Sequence, residues 1–123
     1  MANYLPDDIL LEVFIRSPRG VRFHIDREKL HRFFYEQKES HHDLLSCLRF
    51  RKRPLFPESE RLDQAYSNLI HTGILYLCGL NPDVMVSKSC RKSYLETDSC
   101  FSKSERRQLS KLSRCFYDKF AIS

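Results

Sequence analysis

The stretch "ERLDQAYSNLIHTGILYL", residues 60 to 77, reads as a helix, a stop and a strand. Ser59 precedes it with a hydroxyl suited to capping a helix N-terminus. Leu62, Ala65, Tyr66, Leu69 and Ile70 recur at spacings of three and four, the mark of one apolar helical face. Gly73 then falls where a left-handed C-terminal cap belongs, because a glycine carries no Cβ to clash there. The apolar, β-prone runs "ILYLC" and "DVMVS" follow, joined by "GLNP", which has the chemistry of a turn. The reading is a helix over about 59 to 72 and a β-hairpin with strands at about 74 to 78 and 83 to 87.

Working outward, "RFRKRPLFP" interrupts just before the helix, where Pro54 and Pro57 exclude a helix interior. Further upstream, "REKLHRFFYEQK" follows Asp26, a good N-cap, and sets Leu30, Phe33, Phe34 and Gln37 on one face. "SHHDLLSCLRF", residues 40 to 50, reads as a shorter helix capped by Ser40, with Leu44, Leu45 and Leu48 inward. Near the start, "DDILLEVFIR" follows Pro6 and places Asp7, Asp8 and Glu12 toward the positive end of a helix dipole. Its β-branched content leaves a strand as the alternative. "SPRG" at 17 to 20 is a turn, and the alternating "VRFHI" at 21 to 25 is a candidate short strand. Downstream, "CRKSYLE" suits one short helix. "SKSE" is a capping box of Ser102 and Glu105, opening a last helix over about 103 to 120 that turns Leu109, Leu112, Cys115, Phe116 and Phe120 inward.

No repeat or Gly/Ser linker divides the 123 residues, and three glycines are too few for a many-stranded β fold. The expected architecture is one mainly helical α+β domain over residues 1 to 123, with one β-hairpin. Its core should hold Phe14, Leu30, Phe33, Phe34, Leu45 and Leu62, with Leu69, Leu75, Leu77, Val86, Leu112 and Phe116. In "LDQAYSNLIHTGILYL" and "VMVS", the spacing of Leu62, Ala65, Leu69 and Gly73 resembles a winged helix-turn-helix domain. The resemblance spans roughly residues 26 to 88. It implies a winged-helix-like centre flanked by additional N- and C-terminal helices, and a nucleic-acid-binding or protein-binding role. The opening "YLPDDILLEVF" is also similar to the first turns of an F-box, but an F-box carries a Trp near its end and this chain has none.

A net charge of +5 and a pI near 9.0 suit an acidic partner such as nucleic acid, and also serve solubility. If residues 59 to 72 form a recognition helix, Gln64, Ser67, Asn68 and His71 share its outer face. Asn and Gln pair bidentately with adenine, and Ser serves either base edge. The first turn argues the other way, since Glu58, Glu60 and Asp63 outnumber Arg61 and repel phosphate. Cations gather in three other places. Arg49, Arg51, Lys52 and Arg53 precede the helix, and Lys88, Arg91 and Lys92 follow the hairpin. Lys103, Arg106, Arg107, Lys111 and Arg114 lie along the last helix, where 103, 107, 111 and 114 share a face. The first two groups are the expected phosphate contacts, and Gln64, Ser67, Asn68 and His71 the groups nearest the bases. Whether the patches meet depends on the fold. The expected function is binding of duplex DNA in a regulatory or accessory role. The alternative is a non-enzymatic protein-interaction subunit or inhibitor, using the last helix or the "FFY" surface at 33 to 35.

Other chemistries find little support. "MANYLPDDIL" lacks the basic and apolar regions of a secretory signal, and no run approaches the ~18 apolar residues of a membrane span. The expected location is cytoplasmic, or nucleoid or nuclear for a DNA binder. The odd, irregularly spaced Cys47, Cys78, Cys90, Cys100 and Cys115 read as reduced thiols, with 47, 78 and 115 facing inward. No metal-ligand spacing, Gly-rich phosphate loop or positioned carboxylate pair is present, so neither metal, cofactor nor enzymatic activity is expected.

Overall fold

The computed structural model describes residues 4–79, 83–89, 92 and 101–122. Within them the chain runs α1 (Pro6–Ile15), β1 (Phe23–His24), α2 (Arg27–Gln37), α3 (His42–Leu45), α4 (Glu60–His71), β2 (Leu75–Leu77), β3 (Asp83–Val86) and α5 (Lys103–Phe120). The fold is α+β. Apart from Lys92, the segment "CRKSYLE" lies outside the described residues, as does the centre of the "GLNP" turn.

Local chemistry sets most helix starts. Pro6 occupies the first turn of α1, behind an extended Leu5. The side chains of Asp26, Ser59 and Ser102 accept from the backbone N–H groups of Lys29, Leu62 and Glu105, and Glu105 completes the capping box. Each removes one of the four donors that a helix start leaves without an intrahelical partner. Residues 7 to 15 are helical, not extended, because Ile9, Leu10, Val13 and Phe14 bury one continuous face at helical spacing. After α4, Gly73 takes φ +81° and donates its N–H to the Ile70 carbonyl at 3.1 Å, which turns the chain into β2.

The segment at 40 to 50 departs from expectation. Ser40 does not cap it; His41 holds that position without a side-chain bond. Four residues of α3 tighten into a 3-10 turn at Ser46–Leu48, which ends on Arg49 in the left-handed region at φ 48°. Leu44, Leu45 and Leu48 nonetheless face inward.

The hairpin expected from the sequence is part of a larger unit. β3 is the centre of a three-stranded antiparallel sheet of order β1-β3-β2. Val84 lies opposite Phe23 on one side and Leu77 on the other. The 17 to 20 turn returns the chain so that β1 reaches β3. Beyond α5, Ala121 bridges Phe23 and the Ile122 N–H donates to the Arg22 carbonyl at 2.8 Å.

Every expected core residue except Leu77 is buried. Leu77 has the parity of Leu75, but it ends an edge strand and is 59% exposed. Cys115 is also exposed, one step of about 100° from the buried Phe116; Cys47 and Cys78 are half-buried. Phe33 and Phe34 are buried and Tyr35 packs its ring on Phe50, so "FFY" forms no open aromatic surface. Phe116 of α5 is the aromatic hub. Its ring lies 5.0 Å from Phe14, 5.5 Å from Phe23 and Phe33, and 4.6 Å from Phe120. Edge-to-face pairs add to the area each ring buries.

Phe116→Ala therefore removes the shared partner of α1, β1 and α2. Urea unfolding should show a loss of about 3–5 kcal/mol. A loss below about 1 kcal/mol would contradict its place at the centre of the core.

Candidate nucleic-acid interface

The polar stripe of α4 forms as expected, and its side chains bond one another and α1. Gln64 Nε2 donates to Asn68 Oδ1 at 3.0 Å, and Asn68 Nδ2 donates to Asp7 Oδ2 at 2.9 Å. Ser67 Oγ lies 3.4 Å from His71 Nδ1. Gln64 and His71 are exposed, whereas Ser67 and Asn68 are half-buried. Both ends of the Asn68 amide are thus bound within the protein. The partner Asp7 belongs to the acidic first turn of α1, beside Asp8, whose pKa is raised chiefly by burial.

The N-terminal end of α4 is fastened to α2 by a polar cluster. His31 is fully buried, and its Nδ1 accepts the Ser59 backbone N–H at 3.0 Å. Its Nε2 therefore carries the proton and donates to Asp63 Oδ1 at 2.8 Å. Arg27 adds two bonds to Asp63 Oδ2, from Nη2 at 2.7 Å and Nε at 3.3 Å. Burial opposes ionisation of Asp63, but hydrogen bonds from Arg27 and then His31 outweigh it and hold its pKa below the ordinary value. Ser, His and Asp are the residue types of a hydrolytic triad, yet here they are structural. Ser59 Oγ donates to the Leu48 carbonyl and accepts from Leu62 N–H, so it makes no nucleophile–base bond with His31.

The loop before α4 closes on itself. Arg51 and Glu58 exchange backbone hydrogen bonds of 2.7 and 2.9 Å. Arg49, Arg51, Lys52 and Arg53 are all exposed. Glu58 lies among them, 3.9 Å from Arg53 Nε and 3.6 Å from Arg27 Nη1. Arg49 lines a separate cavity of about 440 Å³ with Arg61, Asp43 and Cys47.

The cations after the hairpin lie elsewhere. Lys88 and Lys92 are exposed and line a cavity of about 690 Å³, whose other described walls are Arg19, Gly20 and Val86. The Ser87 N–H donates to the Ile74 carbonyl at 2.8 Å, which sets this segment at the C-terminal end of α4. Arg51 to Arg53 stand at the other end, a helix of 12 residues away, or roughly 18 Å. The two phosphate-contact groups expected from the sequence therefore do not form one patch. Arg91 lies outside the described residues.

A different cluster forms along α5. Lys103, Arg106, Arg107 and Lys111 are exposed and line a shallow depression with Arg16 and Ser110. A second depression, lined by Arg114, Tyr117 and the carboxylate of Asp118, shares Arg16 and Ser110, so the two are continuous. Arg16 Nη1 donates to Ser110 Oγ at 2.9 Å, while its Nε donates at 2.7 Å to Glu12, which is 1% exposed. Among the described residues no carboxylate ion-pairs with Lys103, Arg106, Arg107, Lys111 or Arg114. Glu105 is committed elsewhere: it accepts from the Tyr4 hydroxyl at 2.5 Å and from Ser102 N–H at 2.7 Å. The Tyr4 bond is the main cause of its lowered pKa.

The sequence showed the α5 cations as a helical face but gave no sign of Arg16 or Arg19. Both sit at the α1–β1 turn, and only the packing of α1 against α5 and of β1 against β3 brings them to these surfaces. Among the described residues no group of three His, Cys, Asp or Glu side chains is placed to hold a metal ion. No described helix is long and apolar enough to cross a membrane. Comparison with protein families, with characterised proteins and with solved structures finds no match to this chain.

Asp63→Ala should destabilise the fold by about 1–3 kcal/mol, because it leaves the buried His31 N–H without an acceptor. Asp63→Asn, which keeps an acceptor oxygen, should cost less. The folded pKa of Asp63 lies below its ordinary 3.8, so its stabilisation is complete above that value and is lost as pH falls through the folded pKa. Urea midpoints measured from about pH 6 to about pH 3 should fall less steeply in Asp63→Asn than in the parent. Parallel acid limbs would contradict the assignment.

Proposed function

We propose that this protein binds nucleic acid, specifically duplex DNA, as a winged-helix-like module with a regulatory or accessory role. The observation that carries this reading is the α5 face, where the exposed Lys103, Arg106, Arg107, Lys111 and Arg114 gather without ion-paired carboxylates among the described residues, beside Arg16, which is paired with Glu12. Fixed positive charge in a shallow, rigid surface suits a polyanion whose phosphates release counterions on binding. The fold-level support is an analogy: a helix tied to a preceding helix, a glycine reversal and a β-hairpin follow one another in the winged-helix order.

A protein-interaction role is the second reading, and one observation favours it. Tyr76 and Leu77 are 47% and 59% exposed on β2, an edge of the sheet. Exposed edge strands are places where another chain can add a strand.

Fluorescence anisotropy with labelled random-sequence duplex separates the two. Binding at about 50 mM salt that weakens steeply by about 200 mM is the expected result. Absence of binding at the lower salt contradicts the nucleic-acid reading and leaves the β2 edge as the surface to pursue.

A further inference from the structure

We infer that the DNA backbone docks along α5 and the end of α1, and that α4 does not read bases; the inference rests on the nucleic-acid reading above. Base recognition needs side-chain donors and acceptors that are free to meet a base edge. The best candidate on α4, Asn68, already donates to Asp7 and accepts from Gln64. Freeing its amide would leave Asp7 facing the approaching strand. The first turn of α4, which would enter the groove first, carries Glu60 and Asp63. Phosphates brought near that end meet these carboxylates and Glu58, which lies among the exposed Arg51, Lys52 and Arg53, 3.9 Å from Arg53 Nε.

The α5 face has the opposite character. Lys103, Arg107, Lys111 and Arg114 follow one another at helical spacing on an 18-residue helix fixed to the core by Leu109, Leu112 and Phe116. From 103 to 114 they span roughly 16 Å. Arg16, held by buried Glu12 and by Ser110, adds a fifth cation from α1. Tyr117, half-buried, is the one aromatic side chain among the described lining. Single strands are gripped by stacking on exposed aromatic rings. A straight, rigid row of charge without a stacking platform favours the regular backbone of a duplex instead.

Five contacts predict a slope of log K against log salt near −4.5, which is roughly a 500-fold loss of affinity between about 50 and 200 mM salt. Lys103→Ala/Arg107→Ala/Lys111→Ala should bring that loss to roughly 12-fold, two contacts remaining. The substituted side chains are exposed, and far-UV circular dichroism checks that the variant is folded. Arg51→Ala/Arg53→Ala should leave the slope unchanged, and so should Gln64→Ala/His71→Ala. Affinities of the parent for unrelated duplexes of equal length should agree within about threefold, far below the thousandfold or more that separates specific from non-specific binding. An unchanged slope in the α5 variant, with binding intact, overturns the inference while the nucleic-acid reading stands. Preference for single strands, or loss of a sequence preference in Gln64→Ala/His71→Ala, also overturns it. No binding by the parent at low salt removes both.

Discussion

The buried imidazole of His31 is the contact on which the arrangement of α2 and α4 depends. One ring nitrogen accepts the backbone N–H of Ser59, and the other donates to Asp63, which Arg27 also holds. Ser59 in turn caps α4 and bonds the Leu48 carbonyl, so α2, the end of the 3-10 turn and the start of α4 meet at one point. No partner of His31 can be removed without leaving a buried polar group unsatisfied, which costs more than the net value of the bond itself. The orientation of α4 then decides where β2 begins, and so where the sheet lies.

The same use of carboxylates as acceptors recurs along the polar face of α4. Asp63 is used as the acceptor for α2, and Asp7 as the acceptor for Asn68. Asp63, an anomaly on a recognition helix when read from the sequence, is one of the groups that fasten the helix in place. Positive charge is left to surfaces that carry no such duty. α5 packs through Leu109, Leu112, Ser113, Phe116 and Phe120, and its opposite side is free to be cationic.

Local features of this fold were legible in the sequence because they are satisfied locally. Asp26, Ser59 and Ser102 each bond a backbone N–H three residues away, and Gly73 supplies its own reversal. The start of α5 follows from its capping box, and the inward stripes of α1, α2 and α4 follow from spacing. What was missed depends on distant partners. The pairing of β1 with β3 joins residues about sixty positions apart, and Arg16 meets α5 only after the chain has closed. His31 sits outside the Leu30, Phe33 and Phe34 stripe, so nothing in the local pattern marks it as buried. The cation patches were visible as runs, but their grouping was not: Lys88 and Lys92 belong with Arg19, and Arg51 to Arg53 stand at the far end of α4.

In the proposed mode of binding, charge on α5, and not the polar face of α4, receives the duplex. Amide hydrogen exchange of the protein with and without random-sequence duplex at low salt tests it most directly. Slowed exchange in residues 103 to 114 and in the 16 to 20 turn, with 60 to 71 unchanged, is the expected result. Protection confined to residues 60 to 71 would contradict it.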